Sequence, residues 1–173
     1  KGDIYVSADG VGCGSKEDPA DFVKAVEALK AGHTIHMAAG TYKYDEMIVI
    51  KEDNSGTADA MKNIVADGEV VLDFSGMGYT GSEADKSNRG IALCGSYWNI
   101  KGVTITGAAD NGMILSGHHN VLDQCVFAAN HDTGLQVSRF NTNYDNIAQE
   151  ISDIISQIDK VLSGAKNSNL LRQ

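Results

Sequence analysis

At 173 residues the chain is long enough for one domain with a substantial buried core. Hydrophobic residues make up 42% of it and the formal net charge is −9; this excludes a disordered chain and argues against non-specific binding to nucleic acid or to an anionic membrane surface. The same charge disfavours direct contact with an acidic polymer unless cations bridge the two.

No stretch reaches the roughly 18 consecutive apolar residues of a membrane-spanning helix. The chain opens Lys1-Gly2-Asp3 with no apolar signal region, so the protein is cytosolic or its signal peptide has been removed. Cys13, Cys94 and Cys125 are dispersed and odd in number, which gives neither a disulfide framework nor a zinc signature.

In chain order, Ile4-Tyr5-Val6 reads as a short strand and Asp9 to Ser15 as a turn. Its glycines resemble a phosphate loop only loosely, since no Lys-Ser/Thr follows. Asp18-Pro19 predicts a helix over 18–31, with Asp18 as cap, Pro19 in the first turn and Gly32 as the stop. Phe22, Val23, Val26 and Leu29 form its apolar stripe. Strands are predicted at Thr34–Met37, around Gly40-Thr41-Tyr42, at Ile48–Ile50, at Asn63–Ala66 and at Val70–Phe74. Gly76 to Arg89 is polar and reads as an exposed excursion.

An internal repeat decides the fold class. Gly90, Gly112 and Gly134 recur at equal spacing, and their neighbours keep the same offset. Ile91-Ala92-Leu93 aligns with Met113-Ile114-Leu115 and with Leu135-Gln136-Val137. Ile100, Val103 and Ile105 align with Leu122, Cys125 and Phe127, and Asp110 aligns with Asp132. A period of about 20–25 residues marks a solenoid. The strands are too short, and the units hold no helix or Leu-x-x-Leu-x-Leu pattern, for a leucine-rich horseshoe. The prediction is an all-β, right-handed parallel β-helix, with inward side chains stacked on their equivalents one coil below. It occupies 1–140, and 141–173 forms a C-terminal helical cap and loose tail.

In that last segment Tyr144 to Leu162 reads as a helix whose Ile147, Ile151, Ile154, Ile158 and Val161 follow a heptad. The stripe either covers the open end of the last coil, which a solenoid needs, or forms a coiled coil of several chains. The first reading makes the protein a monomer, the second an oligomer.

Gly95-Ser96-Tyr97-Trp98-Asn99-Ile100-Lys101-Gly102, Asn111-Gly112, Asn120 and Asp132-Thr133-Gly134-Leu135-Gln136 together resemble the N-terminal part of pectate lyases of polysaccharide lyase family 9. Ile4-Tyr5-Val6 with Asp9-Gly10, Gly32 to Met37 and Gly40-Thr41-Tyr42 are shared more widely among β-helix carbohydrate enzymes. The resemblance covers Asp3 to Ser138. It implies a secreted or periplasmic protein, an acidic polysaccharide such as polygalacturonate as substrate, and calcium-dependent β-elimination with a lysine as base. It also implies that Asp132 is a calcium ligand. The family's further aspartates and its catalytic lysine match nothing here; Tyr144-Asp145 comes too early, and Lys101, Lys160 and Lys166 have no motif support. The catalytic residues are therefore left unassigned.

Read from the residues, Asp110 and Asp132 stacked one coil apart hold a calcium ion, or each bonds turn N–H groups. His118-His119 are adjacent and point apart on a strand, which suits exposed turn residues better than a metal site. Tyr42, Tyr44, Tyr79, Tyr97 and Trp98 form a sugar-stacking platform, or pack between loops and coils. Two functions compete: a pectate-lyase-like β-helix without its catalytic lysine, and a non-catalytic polysaccharide-binding or structural solenoid.

Overall fold

Short β-branched runs separated by glycine and asparagine turns cannot pair locally, so each strand pairs with its equivalent in the next coil. The computed structural model describes residues 2–137 and 147–148. Eleven parallel strands are described: β1 (Ile4–Val6), β2 (Thr34–Lys43), β3 (Ile48–Ile50), β4 (Lys62–Asp73), β5 (Ile91–Leu93), β6 (Trp98–Thr106), β7 (Met113–Leu115), β8 (Val121–Asp123), β9 (Val126–Ala128), β10 (Leu135–Val137) and β11 (Ile147–Ala148). One sheet runs β1-β2-β4-β6-β8-β11, with β9 also on β6; the other runs β3-β5-β7-β10. The long strands β2 and β4 bend where their register shifts, near Gly40 and before Val70. Each coil thereby turns three faces around one bore.

The bore is filled by columns. Ile35, Ile64, Ile100 and Leu122 lie in register, as do Tyr42, Leu72, Ile105 and Phe127. On the second sheet Ile48, Ile91, Met113 and Leu135 form one column, and Ile50, Leu93, Leu115 and Val137 another. Most members are fully buried, but burial fades along the chain: Phe127 and Leu135 are partly covered and Val137 is 49% exposed.

The repeating glycine has a steric cause. A Cβ at Gly90 would lie 2.5 Å from the Gly112 carbonyl oxygen, and one at Gly112 would lie 2.6 Å from that of Gly134. Successive coils touch backbone to backbone there. Asparagines lock the register: Asn120 accepts from Trp98 N–H at 2.9 Å and donates to Gly95 O at 3.0 Å, and Asn130 accepts from Ala108 N–H at 3.1 Å.

The N-terminal helix is shorter than predicted. It spans α1 (Phe22–Ala28), capped by Asp21, whose carboxylate accepts from Lys24 N–H. Asp18 instead accepts from Cys13 N–H at 2.9 Å, and Ala20 bridges Val6 at the edge of β1. That edge pairing holds the backbone extended through Ala20, so the helix cannot begin at Pro19. α1 buries Phe22, Ala25 and Val26 and packs on β1, β2 and β3.

The helix predicted over 144–162 lies outside the described residues except at Ile147–Ala148. Those two are strand, paired with Val121–Leu122 of β8. The exposed backbone of β8 is a template for a further parallel strand, so Ile147 extends the sheet where a helical cap was expected, and the coil containing β8 has a successor.

Replacing Gly112 with Ala should lower stability by about 1–3 kcal/mol through backbone overpacking. Ile105→Ala should cost about 2–5 kcal/mol, and Phe127→Ala less than full burial would give, because Phe127 is only partly buried. Urea unfolding followed by circular dichroism measures all three.

Candidate functional site

The starts of β5, β7 and β10 lie side by side, because Gly90 N–H donates to Asn111 O and Gly112 N–H to Thr133 O, each at 3.0 Å. The turns that feed these strands therefore stack. Asp132 N–H donates to Asp110 O at 3.3 Å, so the two aspartates do fall on successive turns.

Their carboxylates have different fates. Asp110 is 8% exposed; its Oδ2 accepts from Ser87 N–H at 2.8 Å and lies 3.7 Å from Arg89 Nε. This aspartate ties the excursion down and already has a cation. Asp132 is exposed. Calcium takes six to eight oxygens, and among the described residues no group of three or more His, Cys, Asp or Glu side chains is arranged to hold a metal. The Asp110 carboxylate already faces Arg89, while Asp132 is an exposed residue.

The other candidates scatter. Lys101 lies on the other sheet and pairs with Asp123 at 3.4 Å; Lys160 and Lys166 lie outside the described residues. His119 is exposed and its ring stacks on Tyr97 at 4.7 Å. Trp98 is fully buried, with Nε1 donating to Asn54 O, and Tyr42 is buried with its hydroxyl on Ala38 O. Tyr44 is partly buried against Phe74. Of the five aromatic residues only Tyr79, 53% exposed, presents a large open surface.

Three groups at this end have contacts that the sequence reading assigned to none of them. Arg89 is the counter-ion of Asp110. Asn111 is buried and its Nδ2 donates to Gln136 Oε1 at 2.6 Å, linking β7 to β10. Asp85 is buried inside the excursion and accepts from Thr80 N–H, Thr80 Oγ1 and Ser82 N–H at 2.9–3.1 Å. Burial pushes the Asp85 carboxyl upward, yet the hydrogen bonds from Thr80, Ser82 and Gly81 outweigh it and hold its pKa below the usual value. The sequence signal for Asp85 was Ser82-x-x-Asp85, a capping-box pattern that opens a single turn of 3-10 helix.

The architecture and the stacked turns define a parallel β-helix. A model of the Pel9A-like right-handed β-helix region matches residues 4–165, and the chain belongs to that family. It is 38% identical over 154 residues to pectate lyase L of Thermoclostridium stercorarium, covering 86% of this chain and 12% of that protein. It is 36% identical over 150 residues to pectate lyase L of Paenibacillus polymyxa (strain SC2), covering 82% and 31%. The crystal structure of pectate lyase Pel9A superposes with a TM-score of 0.66 at 30% identity, over 78% of this chain and 35% of that one. A rhamnogalacturonan lyase at 16% identity, with a TM-score of 0.58 over 72% of this chain and 35% of that one, shares the fold. The chain thus spans between 12% and 35% of the length of these relatives.

A carboxyl whose folded pKa lies below its unfolded value, about 3.9 for Asp, contributes stability above that value and loses it as pH falls through the folded one. Protection of the Thr80 and Ser82 amides, relative to intrinsic exchange at the same pH, should therefore fall as pH drops below about 3.9, and Asp85→Asn should lower it at neutral pH, with core amides such as Ile105 unchanged.

Proposed function

We propose that this chain binds acidic polysaccharide of the polygalacturonate type and, by itself, does not cleave it. The observation that carries the reading is Asp132: its carboxylate is exposed at the start of β10, in a member of a pectate-lyase-like family. With a net charge of −9, the protein and a polyuronate repel unless a cation lies between them. Calcium shared between Asp132 and the polymer's own carboxylates meets that need, with Asp110 kept for Arg89. A secreted or periplasmic location accords with a polymer too large to enter a cell.

Lysis needs a base within hydrogen-bond reach of the proton removed. Lys101 is held by Asp123 on the other sheet, Lys62 donates to Asn54 Oδ1 at 2.6 Å, and Lys86 pairs with Glu83 at 2.8 Å. None of these is offered to a polymer at Asp132. The rival reading is a purely structural solenoid, which binds no glycan.

With polygalacturonate and calcium, binding by this chain should be measurable by calorimetry and lost in Asp132→Asn or on chelation. Ultraviolet absorbance should show no unsaturated product. Steady calcium-dependent product that Asp132→Asn abolishes would overturn the non-cleaving reading, and absence of binding would favour the structural solenoid.

A further inference from the structure

The polar excursion between β4 and β5 carries one aromatic side chain, Tyr79, flanked by Gly78 and Thr80. Its ring lies parallel to that of His131, with centroids 3.8 Å apart and planes 4° from coplanar. Tyr79 is nonetheless 53% exposed. One face is covered by the imidazole, so the exposure belongs to the opposite face and the edge. Gly81 lies beside the hydroxyl end of the ring, where a Cβ would sit at van der Waals distance, 3.9 Å, from the Tyr79 hydroxyl.

The ring is also held still. Asp85 gathers Thr80 and Ser82 just beyond it, and Met77 Sδ accepts from Ala109 N–H at 3.4 Å just before it. His131 N–H donates to Ala108 O at 2.9 Å, which ties the backbone that carries the supporting ring to the neighbouring coil. His131 is followed directly by Asp132. A flat, pre-positioned apolar face beside an exposed carboxylate suits a ligand with both an apolar face and charge.

We propose that Tyr79, backed by His131, is a sugar-stacking subsite. It takes one pyranose ring of a hexuronate chain through the C–H bonds on that ring's flat face, while the neighbouring uronate approaches Asp132. The electron-rich aromatic face attracts those polarised C–H bonds. Because the platform is ordered before the sugar arrives, little side-chain entropy is lost on binding. The inference rests on the acidic-polysaccharide reading for the identity of the sugar, but not for the existence of the platform. His131 is a positioning residue, acting through Tyr79.

The test titrates trigalacturonate with calcium, and cellotriose as a neutral probe, into the full chain by calorimetry, and follows the Tyr79 ring protons of the wild type by NMR. Tyr79 is on the surface, so its variants retain the core. Trigalacturonate should shift the ring signals. Tyr79→Ala should bind about five- to tenfold more weakly, the scale of one aromatic contact. Tyr79→Phe and Tyr79→Trp should restore affinity, and His131→Ala should fall between. If trigalacturonate binds equally to wild type and Tyr79→Ala, the platform is wrong and the acidic-polysaccharide reading survives. If only cellotriose binds, and does so through Tyr79, the platform stands as a neutral-glycan site and the acidic reading falls. If neither sugar binds, both are overturned.

Discussion

Everything in this molecule hangs on the backbone contact between one coil and the next. At the starts of β5, β7 and β10 the amides of Gly90 and Gly112 donate to carbonyls one coil on, at 3.0 Å. No Cβ fits where the Gly90 and Gly112 Cα atoms pass the carbonyls of Gly112 and Gly134. With the register set there, Ile must stack on Ile and Leu on Leu inside the bore, and each turn must lie over the turn before it. Buried Asn120 and partly buried Asn130 extend the same register into the corners by bonding backbone that no strand partner reaches. A buried polar group is tolerated when both its donor and its acceptor are used, and Asn120 uses both.

The same stacking assembles the site. Asp110 and Asp132 are far apart along the chain, yet occupy successive turns because their coils are in register. The excursion then divides them. Arg89 and the Ser87 amide take the Asp110 carboxylate, and Asp132 remains open to solvent. Two aspartates in equivalent repeat positions thus have different chemistry: one is an anchor, the other a candidate ligand. The excursion itself holds few apolar side chains and is ordered by carboxylates, Asp85 within it and Asp110 beneath it. Anchoring of this kind lets a polar loop stand at the mouth of a sheet with its one aromatic ring still exposed.

Much of the fold was legible from residues 90–137. The equal spacing of Gly90, Gly112 and Gly134, with apolar residues at constant offsets, determined a parallel β-helix and its inward columns, because in-register stacking accepts only like beside like. The stacking of Asp132 on the turn of Asp110 was legible too, through the same period. The start of α1 was not: Asp18-Pro19 has good capping chemistry, but the pairing of Ala20 with β1 outweighs a local preference worth about 1 kcal/mol. Nor was the strand at Ile147–Ala148, where a helical period is overridden by a sheet edge that exists only after the coils have stacked.

The sequence by itself determined the repeat, the core and the family resemblance, because periodicity is a one-dimensional property that stacking converts directly into three dimensions. Only the tertiary structure decided which aspartate is neutralised, which aromatic residue is exposed, and that Tyr79 meets His131. Those contacts join an excursion outside the repeat to coils whose spacing along the chain carries no trace of it. They arise from how the loop folds back over the turns, which no local propensity or period encodes.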